Sequence, residues 1–177
     1  MIITGRLTLR QWKEPDLTAL QKLRNDADLQ ALLLSTAQGS SLPEVRNWLI
    51  NKSNGEGQRF FVIERVQSQE VIGYIQLSAE AGATAAYRFG ICLAPDFWSQ
   101  GFGTELLNAI EQYMRVNTGA CKMLLNVDNT NARAIGCYRK LDYREVGVMQ
   151  RHVLVQGQLR DVLVMEKWIG PSQEHCD

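Results

Sequence analysis

Apolar and polar residues alternate along short stretches of the chain, and this period-two pattern predicts β-strands. Residues 6–10 (Arg-Leu-Thr-Leu-Arg) form the first such strand, and apolar runs at 59–64, 71–77 and 84–93 form three more. Only short turns separate the last three runs, whereas a parallel crossover connection needs a dozen or more residues. These runs therefore predict an antiparallel meander, which excludes a doubly wound dinucleotide-binding fold.

Helical spacing of apolar residues predicts three helices ahead of this meander. One begins near Pro15, a short one covers 28–34, and a third starts at the capping-box sequence Ser-Leu-Pro-Glu of 41–44 and runs through Leu49. The first helix has an apolar face made of Leu17, Leu20 and Leu23. Gly, Ser and Asn are frequent at 51–58, where we expect a loop.

In the C-terminal half, predicted helices alternate with predicted strands. A helix at 103–117 follows the third meander strand, and a buried strand at 121–127 comes next, parallel to 87–94. A helix at 131–141 then precedes a closing hairpin at 143–167. Together these elements predict an α/β (α+β) domain with a mixed, mostly antiparallel sheet and helices packed on it.

The chain is long enough for one domain with a substantial core, and its charges balance. Among 177 residues, 19 are Lys or Arg and 19 are Asp or Glu, so no overall field favours nucleic acid or an anionic membrane. No apolar run reaches the ~20 residues that span a bilayer, and the N-terminus lacks a signal-peptide pattern. We expect the domain to cover 1–170 and the polar residues 171–177 to form a frayed tail.

The cysteines give no sign of a metal or redox site. Cys92, Cys121, Cys137 and Cys176 lack C-x-x-C spacing, so we expect no metal. Three of them lie in apolar elements and are interpreted as small core residues. A reduced, cytoplasmic protein is the simplest interpretation.

A glycine turn joins the third meander strand to the helix that follows it. In the stretch 94–107, Gly101 and Gly103 let the backbone bend and approach a ligand closely. The free N–H groups of the first helical turn and the helix dipole form an anion site suited to a phosphate or pyrophosphate. No Walker sequence occurs, and Leu106 stands where a dinucleotide loop has its third glycine. A plain strand-to-helix turn is the alternative interpretation.

A second cluster lies on one face of the helix at 131–141 and consists of Asn131, Ala134, Tyr138 and Leu141. Taken alone, this face is also typical of a core tyrosine. The sequence Asn-Ala-Arg-Ala-Ile-Gly-Cys-Tyr-Arg-Lys-Leu-Asp-Tyr at 131–143 resembles the N-x-x-A-x-x-x-Y-x-K-L-G-F element of the GNAT acetyltransferase superfamily. Trp-Ser-Gln-Gly-Phe-Gly at 98–103 resembles its Q/R-x-x-G-x-G/A acetyl-CoA loop. The first strand and the closing hairpin are similar to the branch of ribosomal-protein and spermidine N-acetyltransferases, so the resemblance covers almost the whole chain.

The resemblance implies a single GNAT-like domain with a splayed sheet, helices on both faces, and acetyl-CoA as cosubstrate. The pantetheine arm would lie between the strands at 87–94 and 121–127, held by backbone groups around Ile91, Cys92 and Leu93. The pyrophosphate would rest on N–H groups of Trp98, Ser99, Gln100, Gly101, Phe102, Gly103 and Thr104. Asn131 and Ala134 would contact the cofactor, and Tyr138 would lie near the sulfur as the catalytic proton donor.

The implied activity is an acetyl-CoA-dependent N-acetyltransferase, in which a primary amine attacks the thioester directly and forms a tetrahedral intermediate. Trp98 stands where the family has Gln or Arg, and Arg88 stands where many relatives have a glutamate base. The base is therefore unassigned: Glu80 and His152 are candidates, with a surface residue of no catalytic role as the alternative for each. Arg88 and Glu80 are also candidates for substrate binding. A cation at Arg88 predicts an acceptor with an anionic group, unless the side chain turns outward and pairs with a surface acid.

The acceptor itself stays open among a protein N-terminus, a polyamine, an amine antibiotic and a nucleotide-linked amino sugar. Polyamines usually need an acidic pocket, and no acidic cluster in the sequence points to one. The alternative function is a non-catalytic acyl-CoA-binding or sensor domain, which the missing strand carboxylate favours and Tyr138 disfavours. Beyond acetyl-CoA and an amine, we expect no nucleic-acid or membrane partner, and a homodimer is left open.

Overall fold

The computed structural model describes residues 1–171, so the predicted tail lies outside the described residues except for Pro171. Its sheet has eight strands: β1 (Ile2–Ile3), β2 (Leu7–Arg10), β3 (Gln58–Arg65), β4 (Val71–Ala79), β5 (Ala86–Leu93), β6 (Lys122–Asp128), β7 (Arg144–Val155) and β8 (Gln158–Trp168). They lie in the order β1-β2-β3-β4-β5-β6-β8-β7, and among these described strands only β5 and β6 pair in parallel. This confirms the mixed, mostly antiparallel sheet and the parallel pairing predicted from the sequence.

Within residues 1–171, five α-helices pack on this sheet: α1 (Leu17–Asn25), α2 (Ala27–Leu32), α3 (Leu42–Asn54), α4 (Phe102–Thr118) and α5 (Ala132–Lys140). The predicted capping box begins α3, where the backbone N–H of Ser41 donates to Glu44 at 2.7 Å. The loop predicted at 51–58 is wrong in its first half, because the helix continues to Asn54 and carries Lys52 in its last turn. None of the helices in residues 1–171 is long and apolar enough to cross a membrane.

The two faces of the sheet bury separate apolar clusters. Helices α4 and α5 cover one face through residues such as Leu107 and Ile135, which pack with Ile75 of β4. Helices α1 to α3 cover the other face, where Leu20 and Leu49 pack with Tyr74. Since Tyr74 and Ile75 are neighbours on β4, the alternation of side chains along a strand explains why they enter different clusters. Helices therefore cover both faces, as the family resemblance implied.

The sheet splays apart between β5 and β6. The two strands pair only from Ala86 to Phe89 on β5 and from Lys122 to Leu125 on β6. Beyond Phe89, strand β5 continues along β4 while β6 continues along β8. Residues 90–93 therefore have no β6 partner in the described structure, and a gap opens through the middle of the sheet. This confirms the splayed sheet.

Candidate active site

The glycine turn between β5 and α4 places backbone N–H groups beside this gap. Gly101 is the N-cap of α4, with φ of 80°, a left-handed conformation that favours glycine. The indole N–H of Trp98 donates to the carbonyl oxygen of Leu93 at 2.7 Å and ties the loop back to the end of β5. The departure from Gln or Arg at position 98 therefore contributes a structural hydrogen bond to the loop.

Arg6 of the N-terminal segment holds the same loop in place. Its guanidinium donates to the carbonyl oxygen of Gln100 at 3.0 Å and to Glu105 of α4 at 2.6 Å. It also lies 4.3 Å from the ring centroid of Phe102. The backbone that presents the N–H groups is therefore preorganised by a residue almost a hundred positions away, a role that the sequence analysis did not assign.

A cavity of about 850 Å³ passes through the gap from one face of the sheet to the other. Its loop side is formed by the turn, the start of α4 and α5, and includes Trp98, Gly101, Gly103, Asn131, Arg133 and Tyr138. Its helix side is formed by α1 to α3 and β4, and includes Arg24, Gln30, Trp48, Lys52, Tyr74 and Gln76. Two molecules can thus enter from opposite faces and meet at the gap.

The backbone of β5 offers hydrogen-bonding groups to this gap. The N–H of Ala94 donates to Ile72 at 2.8 Å, which makes these two residues a hydrogen-bonded pair of the β4–β5 ladder. Such pairs alternate along an antiparallel ladder, so Ile91 and Leu93 direct their N–H and C=O groups away from β4 and toward the gap. Both residues line the cavity.

Most residues predicted to bind the cofactor line the cavity. These are Ile91, Leu93, Trp98, Ser99, Gly101, Phe102, Gly103, Thr104, Asn131 and Ala134. Cys92 and Gln100 are not in the lining: the Cys92 side chain is buried in the cluster under α1 to α3, and Gln100 donates to the carbonyl oxygen of Asp96 at 2.6 Å. Asn131 also caps α5, accepting a hydrogen bond from the N–H of Ala134 at 3.2 Å.

The Tyr138 side chain forms part of the cavity lining. Its ring packs edge to face against Phe89 and Tyr143, with centroids 6.1 and 5.9 Å away, and the residue lines the cavity. Its hydroxyl forms no hydrogen bond within residues 1–171, whereas the neighbouring Tyr143 donates to Glu111 at 2.8 Å. Burial raises the pKa of Tyr138, so its phenol stays protonated through the neutral and mildly alkaline range.

Two cations on α5 were missed by the sequence analysis. Arg133 stacks on Trp98, with its guanidinium carbon 3.2 Å from the ring centroid, and Lys140 also lines the cavity. Desolvation by burial lowers the pKa of Arg133, which means that its charge is incompletely solvated. Both lie on the loop side, where an anionic cofactor gains most from positive charge. In the sequence Arg133 stands between Ala132 and Ala134, but only the fold shows that its side chain faces the cavity.

The candidate bases lie away from the cavity lining. Glu80 accepts two hydrogen bonds from Arg88, both at 2.9 Å, and this contact lowers the pKa of the Glu80 carboxyl. Arg88 also donates to Asn126 across the gap. The charges of Glu80 and Arg88 therefore compensate each other. This agrees with the alternative interpretation, in which Arg88 turns outward and pairs with a surface acid. His152 is exposed on β7.

The cavity lining contains no Asp, Glu or His among residues 1–171. Its charged members are all cationic: Arg24, Lys52, Arg133 and Lys140. No cluster of His, Cys, Asp and Glu within the described part of the chain could hold a metal ion. The arrangement suits an anionic donor bound by backbone N–H groups.

Known proteins of similar sequence include two polyamine acetyltransferases. The chain is 23% identical over 175 residues to the spermidine N(1)-acetyltransferase of Vibrio cholerae, covering 97% of this chain and 100% of that protein. It is 24% identical over 157 residues to the spermidine N(1)-acetyltransferase of Escherichia coli, covering 89% of this chain and 83% of that protein.

Solved structures show the same fold. The Vibrio cholerae spermidine N-acetyltransferase in complex with CoA and spermine superposes with a TM-score of 0.84 at 24% identity, covering 93% of this chain and 96% of that one. A GNAT-family acetyltransferase from Bacillus anthracis gives a TM-score of 0.82 at 15% identity, covering 95% and 98%. Residues 6–144 match the acetyltransferase (GNAT) domain family. The chain therefore belongs to the GNAT acetyltransferase family and is an acetyl-CoA-dependent N-acetyltransferase.

Proposed function

We propose that the protein acetylates a primary amine of a small molecule or a protein N-terminus by direct transfer across the gap between β5 and β6. The single cavity that joins the two faces of the sheet carries this proposal. Acetyl-CoA would enter from the loop side and the amine from the helix side. Neither substrate has to leave for the other to bind, so no acetylated enzyme intermediate is required.

The loop side fits acetyl-CoA, which supplies the acetyl thioester when bound. The N–H groups at the start of α4 would hold the pyrophosphate, and the φ of 80° at Gly101 aligns them without a Cβ in the way. Arg133 and Lys140 would add positive charge beside the phosphates. Ile91 and Leu93 offer the gap-facing backbone groups that an extended arm needs as hydrogen-bond partners.

At the gap, Tyr138 would act as the general acid. The amine attacks the thioester carbonyl, a gap-facing N–H of β5 stabilises the developing oxyanion, and the Tyr138 hydroxyl donates its proton to the leaving sulfur. Because Asp, Glu and His are absent from the cavity lining within residues 1–171, the proton of the amine passes to solvent water rather than to a side chain there, and water returns a proton to the Tyr138 phenolate.

We do not propose a polyamine as the acceptor, although the two relatives above are named for spermidine. A polyamine carries several positive charges, and the charged residues of the lining are four cations. Like charges in a partly desolvated cavity repel one another, which disfavours such a substrate.

We also propose a cytoplasmic location, supported by the free thiols of Cys92, Cys121 and Cys137.

The test is a thiol-release assay with acetyl-CoA and a panel of amines, combined with calorimetric titration of CoA. Binding of CoA together with amine-dependent thiol release supports the proposal. Binding of CoA without release for any amine would instead favour the non-catalytic acyl-CoA-binding domain.

A further inference from the structure

The helix side of the cavity carries two cations without acidic partners. Arg24 of α1 and Lys52 of α3 line it, and neither forms an ion pair with any residue in the described part of the chain. Resting on the function proposed above, we propose that the acceptor amine belongs to a molecule that also bears a carboxylate or a phosphate, which Arg24 and Lys52 bind.

Arg24 is held in position, but part of its hydrogen-bonding capacity is unused. Its guanidinium carbon lies 4.2 Å from the ring centroid of Trp48, a cation–π arrangement that fixes the plane of the group. Its Nε is buried and has no hydrogen-bond partner in the described structure. Buried charged donors without partners are costly, so this geometry is expected where a ligand supplies the missing acceptor.

The support beneath Arg24 is rigid. Trp48 packs edge to face against Phe60 at 5.2 Å and against Tyr74 at 5.3 Å between ring centroids. Lys52 follows Trp48 by four residues on α3, so the two side chains emerge from the same helix face. The two cations therefore flank one aromatic residue at the wall of the cavity, an arrangement that can clamp a planar carboxylate or a phosphate.

Asp26 stands two positions after Arg24 in the sequence but has another contact. Asp26 caps α2 by accepting a hydrogen bond from the N–H of Leu29 at 2.9 Å. Arg88, the cation that the sequence analysis singled out, is compensated by Glu80. Arg133 and Lys140 lie on the loop side, where the phosphates of the cofactor would use them. Arg24 and Lys52 are therefore the cations left for the acceptor.

The amine end of the acceptor has a separate place near the gap. Gln76 of β4 lines the cavity directly opposite Gly90 of β5, at the point where β5 has just parted from β6. Its Oε1 is buried and lacks a hydrogen-bond partner among the described residues. An amine N–H held by this oxygen would lie at the gap, while the anionic group reaches Arg24 and Lys52.

Matched acceptors test this recognition in the thiol-release assay. Glucosamine 6-phosphate is compared with glucosamine, and the amide of glycyl-aspartate with the amide of glycyl-asparagine, with spermidine as the cationic amine. In each pair only the anionic group differs. A site that binds only phosphates would prefer glucosamine 6-phosphate to glucosamine. A site that binds only carboxylates would prefer the amide of glycyl-aspartate to the amide of glycyl-asparagine. We expect kcat/KM to be at least tenfold higher for the anionic member of one pair.

The variants are Arg24→Gln and Lys52→Gln, on two different helices, so that misfolding of one leaves the other informative. Lys22→Gln is the control, because Lys22 is an exposed cation on α1 outside the cavity lining. A hydrogen bond to a charged group corresponds to about tenfold to a hundredfold in affinity. We expect Arg24→Gln to lower kcat/KM by that factor for the anionic acceptor, with little change for its neutral partner. Lys22→Gln should change neither.

Amine acetylation without an anionic preference, or a preference that survives both Arg24→Gln and Lys52→Gln, would overturn this inference and leave the proposed direct transfer to a primary amine standing. A protein that binds CoA but releases no thiol with any amine would overturn both together. The two failures are therefore distinguishable in one set of measurements.

Discussion

The adjacent tyrosines Tyr138 and Tyr143 allow the catalytic assignment to be tested with one chemical change at two positions. Their rings lie 5.9 Å apart between centroids, but their hydroxyls have different surroundings. The Tyr143 hydroxyl donates to buried Glu111 at 2.8 Å, whereas the Tyr138 hydroxyl forms no hydrogen bond within residues 1–171. Replacement by phenylalanine removes the hydroxyl and keeps the ring packing at each site.

We expect Tyr138→Phe to lower turnover and leave stability almost unchanged. Loss of a general acid commonly costs about 10²–10⁴-fold in rate, which corresponds to roughly 3–5 kcal/mol in the activation barrier. Because no hydrogen bond within residues 1–171 is lost, the free energy of unfolding should change by less than about 1 kcal/mol. Affinity for CoA should stay the same, since the contacts of the ring remain.

Tyr143→Phe should lower stability and leave turnover almost unchanged. Tyr143 is 3% exposed and its partner Glu111 is 8% exposed, so the substitution removes a buried hydrogen bond to a charged group. That loss is about 1.5–3 kcal/mol, or a fall in Tm of about 3–12 °C for a chain of this length. Glu111 keeps its contact with Lys167 at 2.6 Å, which limits the loss of stability. Turnover below the Tm should be unaffected.

Turnover by thiol release, CoA affinity by calorimetry and Tm by circular dichroism distinguish the two variants. Wild-type turnover in Tyr138→Phe would return Tyr138 to the role of a core tyrosine and assign protonation of the sulfur to solvent. A loss of Tm as large as that of Tyr143→Phe would show that the Tyr138 hydroxyl is structural.

Three further predictions address the loop, the fold and the pH dependence. Gly101→Val should weaken CoA binding at least about tenfold in calorimetry, because a β-branched residue is strained at φ of 80°; Gly119→Val is the control, since Gly119 has a similar left-handed φ of 68° at the other end of α4 and is not in the cavity lining. Arg10→Ala should lower the free energy of unfolding by about 3–5 kcal/mol in denaturant titration, because Asp16, 5% exposed, loses its bidentate partner at 2.7 and 2.9 Å; a change below 1 kcal/mol would contradict this. The value of kcat/KM should rise with pH until the acceptor amine is neutral, because the cavity lining in residues 1–171 lacks Asp, Glu and His and burial raises the pKa of the donor Tyr138. An acidic limb that stays at one pKa for every acceptor would reveal a protein base.

The sequence alone determined the local features of this protein, because neighbouring residues encode them. The capping box at Ser41 started α3 where predicted, and the short turns between β3, β4 and β5 forced antiparallel pairing. The glycine at position 101 adopts the left-handed conformation that the turn needs. The splayed sheet and the cofactor were predicted from the resemblance of two motifs to the GNAT family, because no local pattern encodes them.

Only the tertiary structure decided how the site is assembled. Arg24, Lys52 and Gln76 come from α1, α3 and β4, and they share a cavity wall only because those elements pack on the same face of the sheet. Arg88 looked like a substrate-binding cation in the sequence, yet the fold brings Glu80 within 2.9 Å of it. Side-chain charges act over a few ångströms in three dimensions, so their partners depend on packing between distant segments, which local sequence patterns do not specify.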